Sequence, residues 1–146
     1  MLDKCQKATA KAVSKGRDTV LQYVHVKKGF IEASDAYIYV QKVVPYLGKD
    51  MLFEADDINK NNLSCEVVGQ YTYPSADLFE QYFAKNKPVF SIALNRELLK
   101  KLISALGNDT NPVRFHFYGK DKPVRVEIPE EKTKGIIMPV LTKWED

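Results

Sequence analysis

TVLQYVHVKKGFIEASDAYIYVQKVV, residues 19–44, alternates apolar and polar side chains along most of its length. A period of two is the strand period, in which successive side chains point to opposite faces of a sheet. Lys27-Lys28-Gly29 interrupts the alternation once and Asp35-Ala36 interrupts it again, both with turn-forming residues. Pro45, which has no backbone N–H to give a ladder, ends it. The stretch predicts three antiparallel strands in a meander.

Upstream, residues 3–15 read as a helix stopped at Gly16. At about 100° per residue, Lys4, Lys7, Lys11 and Lys15 fall within an arc of roughly 80°. Leu2, Cys5, Thr9, Ala12 and Val13 gather on a neighbouring face. Downstream, MLFEA is a short strand or a helix start, DINKNN a loop, and LSCEVVGQY a further strand. YTYPSADLFEQYFAKNKP (71–88) places a short helix over Leu78, Phe79, Tyr82 and Phe83, capped by Ser75 or Asp77. FSIAL (90–94) reads as a strand. Asn95 then caps a second helix, RELLKKLISAL, closed by Gly107. Leu98, Leu99, Leu102 and Leu106 form its apolar stripe, with Arg96, Lys100 and Ser104 opposite and Lys101 at the flank. VRFHFYG, VRVEI and GIIMPVL follow as strands. The order repeats a basic helix followed by strands. It predicts an α+β fold of pseudo-duplicated α-βββ order, two basic helices on one face of antiparallel sheet.

The 146 residues, 45% hydrophobic and 28% charged, suit one globular domain, residues 1–146. No apolar run approaches the roughly 20 residues of a membrane span, and MLDKCQKATAKAV has no secretory h-region. Cys5 and Cys65 are compatible with a single disulfide, but read more readily as two free thiols in a reducing cytoplasm. The net charge of +3 is unevenly placed: residues 3–17 hold five cations against one acid, and residues 95–106 hold three against one. The remainder is slightly acidic. Such a field steers a polyanion to one surface.

No catalytic constellation emerges, and no enzyme, cofactor or metal site is expected. His25 and His116 each alternate within a strand and read as structural. Asp56-Asp57 supplies too few oxygen ligands for a metal. There is no Gly-rich phosphate loop, nucleophile elbow or HExxH. The lysine faces suit phosphate contact without base reading, because a point charge on a flexible stem carries little sequence information. The many tyrosines and phenylalanines mostly alternate within strands, which core and sheet packing explains better than base stacking.

Three stretches carry a family resemblance. They are AVSKGRDTVLQYVHVKKGFIEASDAYIYV (12–40), YPSADL (73–78), and FSIALNRELLKKLISAL with NPVRFHFYGKDKPVRVEI and GIIMPVL (90–141). In order and spacing they resemble a domain of the bacterial sliding clamp, the β subunit of the replicative DNA polymerase. Ala36, Tyr37 and Ile38 replace that family's Gly-His-Arg, and Thr142–Asp146 extend the chain beyond the Met-Pro strand. A clamp chain carries three such domains, whereas this one has material for one, as expected of a phage or mobile-element protein.

The resemblance implies a non-enzymatic, clamp-like DNA-tethering or processivity factor that assembles into an oligomer. Duplex DNA would meet Lys4, Lys7, Lys11, Lys15, Arg17, Arg96, Lys100 and Lys101. Clamp-binding peptides of replication or repair proteins would enter a cleft at Ser34, Tyr37, Tyr73, Pro74, Leu78, Met138, Pro139 and Val140. The alternative is a monomeric interaction module, or decoy, that captures such peptides without encircling DNA.

Overall fold

The structure, a computed structural model, describes residues 1–16, 19–45, 49–67, 69, 71–74, 81, 83–107 and 110–141. It is a mixed α+β chain with two antiparallel sheets, one of four strands and one of three. It divides into two compact units, Met1–Leu78 and Phe79–Asp146.

In the first unit the meander is β1 (Tyr23–Lys27), β2 (Phe30–Ser34) and β3 (Tyr39–Val43), joined by β4 (Met51–Glu54) in the order β3-β2-β1-β4. Gly29, at φ +85°, takes the left-handed position of the first turn. The second turn is closed by Asp35, whose Oδ1 accepts from the amides of Tyr37 and Ile38, both at 2.9 Å. That carboxylate holds Ala36 at φ 78°, where a Cβ is strained.

Register divides this sheet into two unlike faces. Val24, Val26, Ile31, Ala33 and Phe53 share one face and form the core with Leu2, Ala10, Ala12, Val13, Val44 and Ile58. His25, Lys27, Glu32, Tyr39 and Leu52 share the other.

The opening segment departs from the expected single helix. An α-turn, α1 (Lys4–Lys7), is closed by a reciprocal cap between Asp3 and Gln6. A 3₁₀ stretch, Ala8–Ala12, follows, and the backbone is extended at Val13 (φ −70°, ψ 153°). Thr9, Ala10, Ala12, Val13 and Ser14 are all buried. Small side chains let this stretch lie close to the sheet, and the Ser14 amide bonds the Leu21 carbonyl at 3.0 Å. That packing is incompatible with one exposed face in every turn.

MLFEA divides between β4 and α2 (Ala55–Asn59), so the expected loop at DINKNN begins inside a helix. Among its described residues LSCEVVGQY forms no strand: Asn62, Ser64 and Cys65 bond one another in a turn, and Val67 reaches β4 through the Leu52 carbonyl at 2.8 Å.

In the second unit, residues 81 and 83–85 are helical; the other residues of that expected helix and its caps Ser75 and Asp77 lie outside the described ones. FSIAL reduces to a bridge between Ala93 and Val140. The second helix forms as expected: α3 (Arg96–Ala105), with Asn95 Oδ1 accepting from the Leu98 amide at 3.0 Å. It lies on the sheet β5 (Arg114–His116), β6 (Val124–Ile128) and β7 (Thr133–Ile137). Leu99, Leu102 and Leu106 pack on Val124, Val126 and Ile137. A Cβ on Gly135 would stand 3.1 Å from Leu102 Cδ1, so the bare glycine sets how closely α3 approaches β7. The closing strand ends at Ile137, so Met138 and Pro139 follow it.

Candidate functional site

The expected DNA-binding cations fall into two groups of different quality. Arg96, Lys100 and Lys101 are exposed on α3, away from its packed leucines. In the first unit Lys4, Lys11 and Lys15 are exposed and Lys7 is half-buried, but they do not form one helical stripe. A 3₁₀ helix turns about 120° per residue against about 100° for an α-helix. Lys11 therefore leaves the line set by Lys4 and Lys7, and Lys15 follows the extended backbone at Val13. Arg17 lies outside the described residues.

The expected peptide cleft draws on both units. In the first, the Ser34 hydroxyl is engaged locally: it donates to the Ile38 carbonyl at 2.7 Å and accepts from the Ala36 amide at 3.1 Å. Tyr37 is 83% exposed on the tip of its turn, and Pro74 is exposed. Tyr73 faces inward, onto His25. Leu78 lies outside the described residues. In the second unit Met138 is 58% and Val140 41% exposed, with Pro139 half-buried. Met138 borders an apolar groove of about 390 Å³ with Leu98, Leu102, Ala105, Ile136 and Ile137, and Lys101 stands at its rim.

A third feature was not foreseen. On the polar face of the first sheet, Glu32 is 1% exposed and central to a network. His25 Nδ1 lies 2.7 Å from Oε1, Lys27 Nζ lies 3.7 Å from the same oxygen, and the Tyr39 hydroxyl donates to Oε2. Burial pushes the carboxyl upward, but the bonds from His25 and Tyr39 and the charge of Lys27 outweigh it and hold it below the ordinary 4.5. With the carboxylate accepting, Nδ1 carries the proton and Nε2 is left facing Asp50 Oδ2 at 3.6 Å.

Over this face runs Tyr71-Thr72-Tyr73. The Tyr71 ring meets Tyr23 edge-on at 5.5 Å and Tyr73 stacks on His25 at 4.7 Å. Alternate side chains of the segment thus match alternate side chains of β1. The Tyr73 hydroxyl is buried and has no hydrogen-bond partner among the described residues. Its pKa is pushed up to about 12 by burial and then by the Glu32 charge; the Ser34 backbone pulls the other way without reaching hydrogen-bonding geometry. His25, Asp50, Met51, Leu52, Tyr71, Thr72 and Tyr73 enclose a cleft of about 260 Å³.

His25 thus has carboxylates on both sides, Glu32 and Asp50. The signal was the first turn: with Lys28 and Gly29 as its two loop residues, Lys27 pairs Phe30 and His25 pairs Glu32. His116 is likewise paired, Nε2 to Glu127 Oε1 at 2.8 Å. Its contact, then the Arg125 bond at 2.7 Å, holds Glu127 below the ordinary carboxylate range. Among the described residues no group of three or more His, Cys, Asp or Glu side chains is placed to hold a metal ion, and no helix is long and apolar enough to cross a membrane.

The chain matches no protein-family model, no curated protein and no solved structure.

Proposed function

We propose that this chain is a non-enzymatic, clamp-like tether or processivity factor that holds duplex DNA without reading its sequence. The observation that carries the reading is the two-sidedness of α3. Leu99 and Leu102 pack on an antiparallel sheet, Leu98 of the expected stripe is instead 50% exposed, and Arg96, Lys100 and Lys101 stand in solvent on the same helix. Exposed cations without base-reading partners suit contact with phosphates, which positions a protein on a duplex without reading its sequence. The layout of each unit, helical segments against one antiparallel sheet, accords with the clamp-like reading. The broken opening helix moves its weight: α3 is the principal contact and Lys4, Lys7, Lys11 and Lys15 supply a more diffuse field.

The test is fluorescence anisotropy on a labelled duplex of arbitrary sequence. Binding should appear at about 50 mM salt and weaken steeply by about 200 mM. Arg96→Glu/Lys100→Glu should reduce affinity equally for unrelated sequences and lower the salt slope by about 2. Light scattering with and without duplex should show an oligomer. A monomer that ignores DNA at low salt would end this reading.

The groove beside Met138 favours the second reading, a monomeric module for short apolar peptides. Met is an adaptable surface for varied partners. In that case Met138→Ala abolishes binding of a clamp-binding peptide while the charge reversals on α3 leave it intact.

A further inference from the structure

We propose that the solvent-facing side of the sheet β5-β6-β7 binds single-stranded nucleic acid, with Arg114, Arg125 and Lys134 on phosphates and Tyr118 stacked on an unpaired base. This side is opposite the one that α3 covers, and the proposal is independent of the DNA-tethering reading.

Three observations carry it. First, register sorts the sheet by chemistry. Val124, Val126 and Ile137 turn toward the leucines of α3. The alternate set turns the other way: Arg114 pairs Glu127, Glu127 pairs Lys134, and His116 pairs Arg125 one row along. Arg114, Arg125 and Lys134 are all exposed. Strand spacing and rise set their Cα atoms roughly 8–10 Å apart, an array of cations open to an extended chain.

Second, the positive charge of this side is not neutralised. Glu127 is already engaged: Oε1 lies 2.8 Å from His116 Nε2, and Oε2 accepts from Arg125 at 2.7 Å. Arg125 keeps the other donors of its guanidinium fork. Arg114 and Lys134 have no ion pair among the described residues. Three cations against one carboxylate complement a polyanion. Lys120 and Lys122, with Asp121 between them, are exposed on the turn into β6 and add to the field. Glu130 and Glu131 lie at the other end of β6, before β7, which directs the bound strand toward Tyr118.

Third, the same side carries an aromatic ring. Tyr118, two residues beyond His116, is 64% exposed, and its hydroxyl adjoins the Arg125 guanidinium. Unpaired bases stack on such rings and on guanidinium planes. A duplex keeps its base faces inside the stack and an acidic peptide has no bases, so the ring favours a single strand.

The test is fluorescence anisotropy of the full chain on a labelled oligothymidylate of about 16 nucleotides. Saturable binding is expected at about 50 mM salt and should weaken as salt rises. Arg114→Ala/Lys134→Ala should weaken it about tenfold and lower the salt slope by about 1.4, the share of two single-strand phosphates. Tyr118→Ala should weaken it about fivefold or more and leave the salt slope unchanged. The three positions are exposed, so both variants should keep the Tm of their parent. Arg96→Glu/Lys100→Glu, which tests α3 on duplex, should change oligothymidylate binding by less than about threefold, so the two readings fail separately. The proposal is overturned by any of three results: no saturable binding at low salt, a Tyr118→Ala chain that binds as well as its parent, or displacement of the oligonucleotide by poly-glutamate at equal charge, which would make this side a site for acidic peptides.

Discussion

Glu32 stands directly across from His25 on the adjoining strand, and the two side chains meet at 2.7 Å in a part of the sheet almost closed to water. A carboxylate in that position is tolerated only because three partners surround it. Replacing it by the isosteric amide removes the charge and leaves Lys27 and His25 facing a neutral group. Glu32→Gln should cost about 3 kcal/mol, read as a lower urea midpoint at constant m. An unchanged midpoint would mean that the network contributes nothing net.

The same carboxylate gives the first unit an acid limit. Its folded pKa is depressed below the ordinary 4.5, so its contribution to stability is complete above the unfolded value. It is lost as pH falls through the folded value. Urea midpoints measured from about pH 7 to about pH 3 should fall at the acid end, and Glu32→Gln should flatten that fall. Equal acid sensitivity in both chains would assign the effect elsewhere.

Tyr73 makes the opposite case, because its hydroxyl is buried without a hydrogen-bond partner among the described residues. Tyr73→Phe keeps the ring on His25 and removes the orphaned oxygen, so it should stabilise the fold by about 1 kcal/mol. Because folding raises the pKa of this phenol from 10.0 to about 12, stability is full below the unfolded value and is lost as pH climbs through the folded one. Ultraviolet titration should show one late-ionising tyrosine that disappears in Tyr73→Phe. A destabilised variant would mean that the hydroxyl is bonded in solution.

Two substitutions probe α3. Asn95→Ala removes the acceptor of the Leu98 amide and should cost about 1 kcal/mol. Gly135→Val fills the approach to Leu102 and should cost about 1–3 kcal/mol through overpacking. Thermal melts of both check this, and the glycine variant should also lose near-ultraviolet signal if the helix is lifted.

The sequence made the elements with strong local signals legible. Residues 23–43 alternate and Gly29 punctuates them, although Val20–Gln22, read as the start of the first strand, forms a 3₁₀ turn; α3 carries its own cap at Asn95 and its own stop at Gly107. The opening segment misled because lysines three and four apart fit a helical stripe, while Ala8, Thr9, Ala10 and Ala12 are small enough to pack in a tighter turn. At LSCEVVGQY, Asn62, Ser64 and Cys65 spend their bonds on one another, which a period-two pattern does not reveal. Of the site, the α3 cations were readable because helix periodicity sorts exposed from packed residues. The His25–Glu32 pair required the register of one hairpin, and the Tyr71–Tyr73 cover required a contact across nearly fifty positions of chain. Local pattern fixes neither by itself.

The strand order β3-β2-β1-β4 also orders events in time. β1–β2 and β2–β3 join through short turns, and hairpins of that kind close in about 1–10 μs. β4 must return past both to set Leu52 beside His25, so its loop-closure entropy is met later. Refolding should therefore protect the amides of β2 before those of β4. Asp50, the residue just ahead of β4, reaches His25 in the last step, so the charged side of the cleft is assembled only when the sheet is complete.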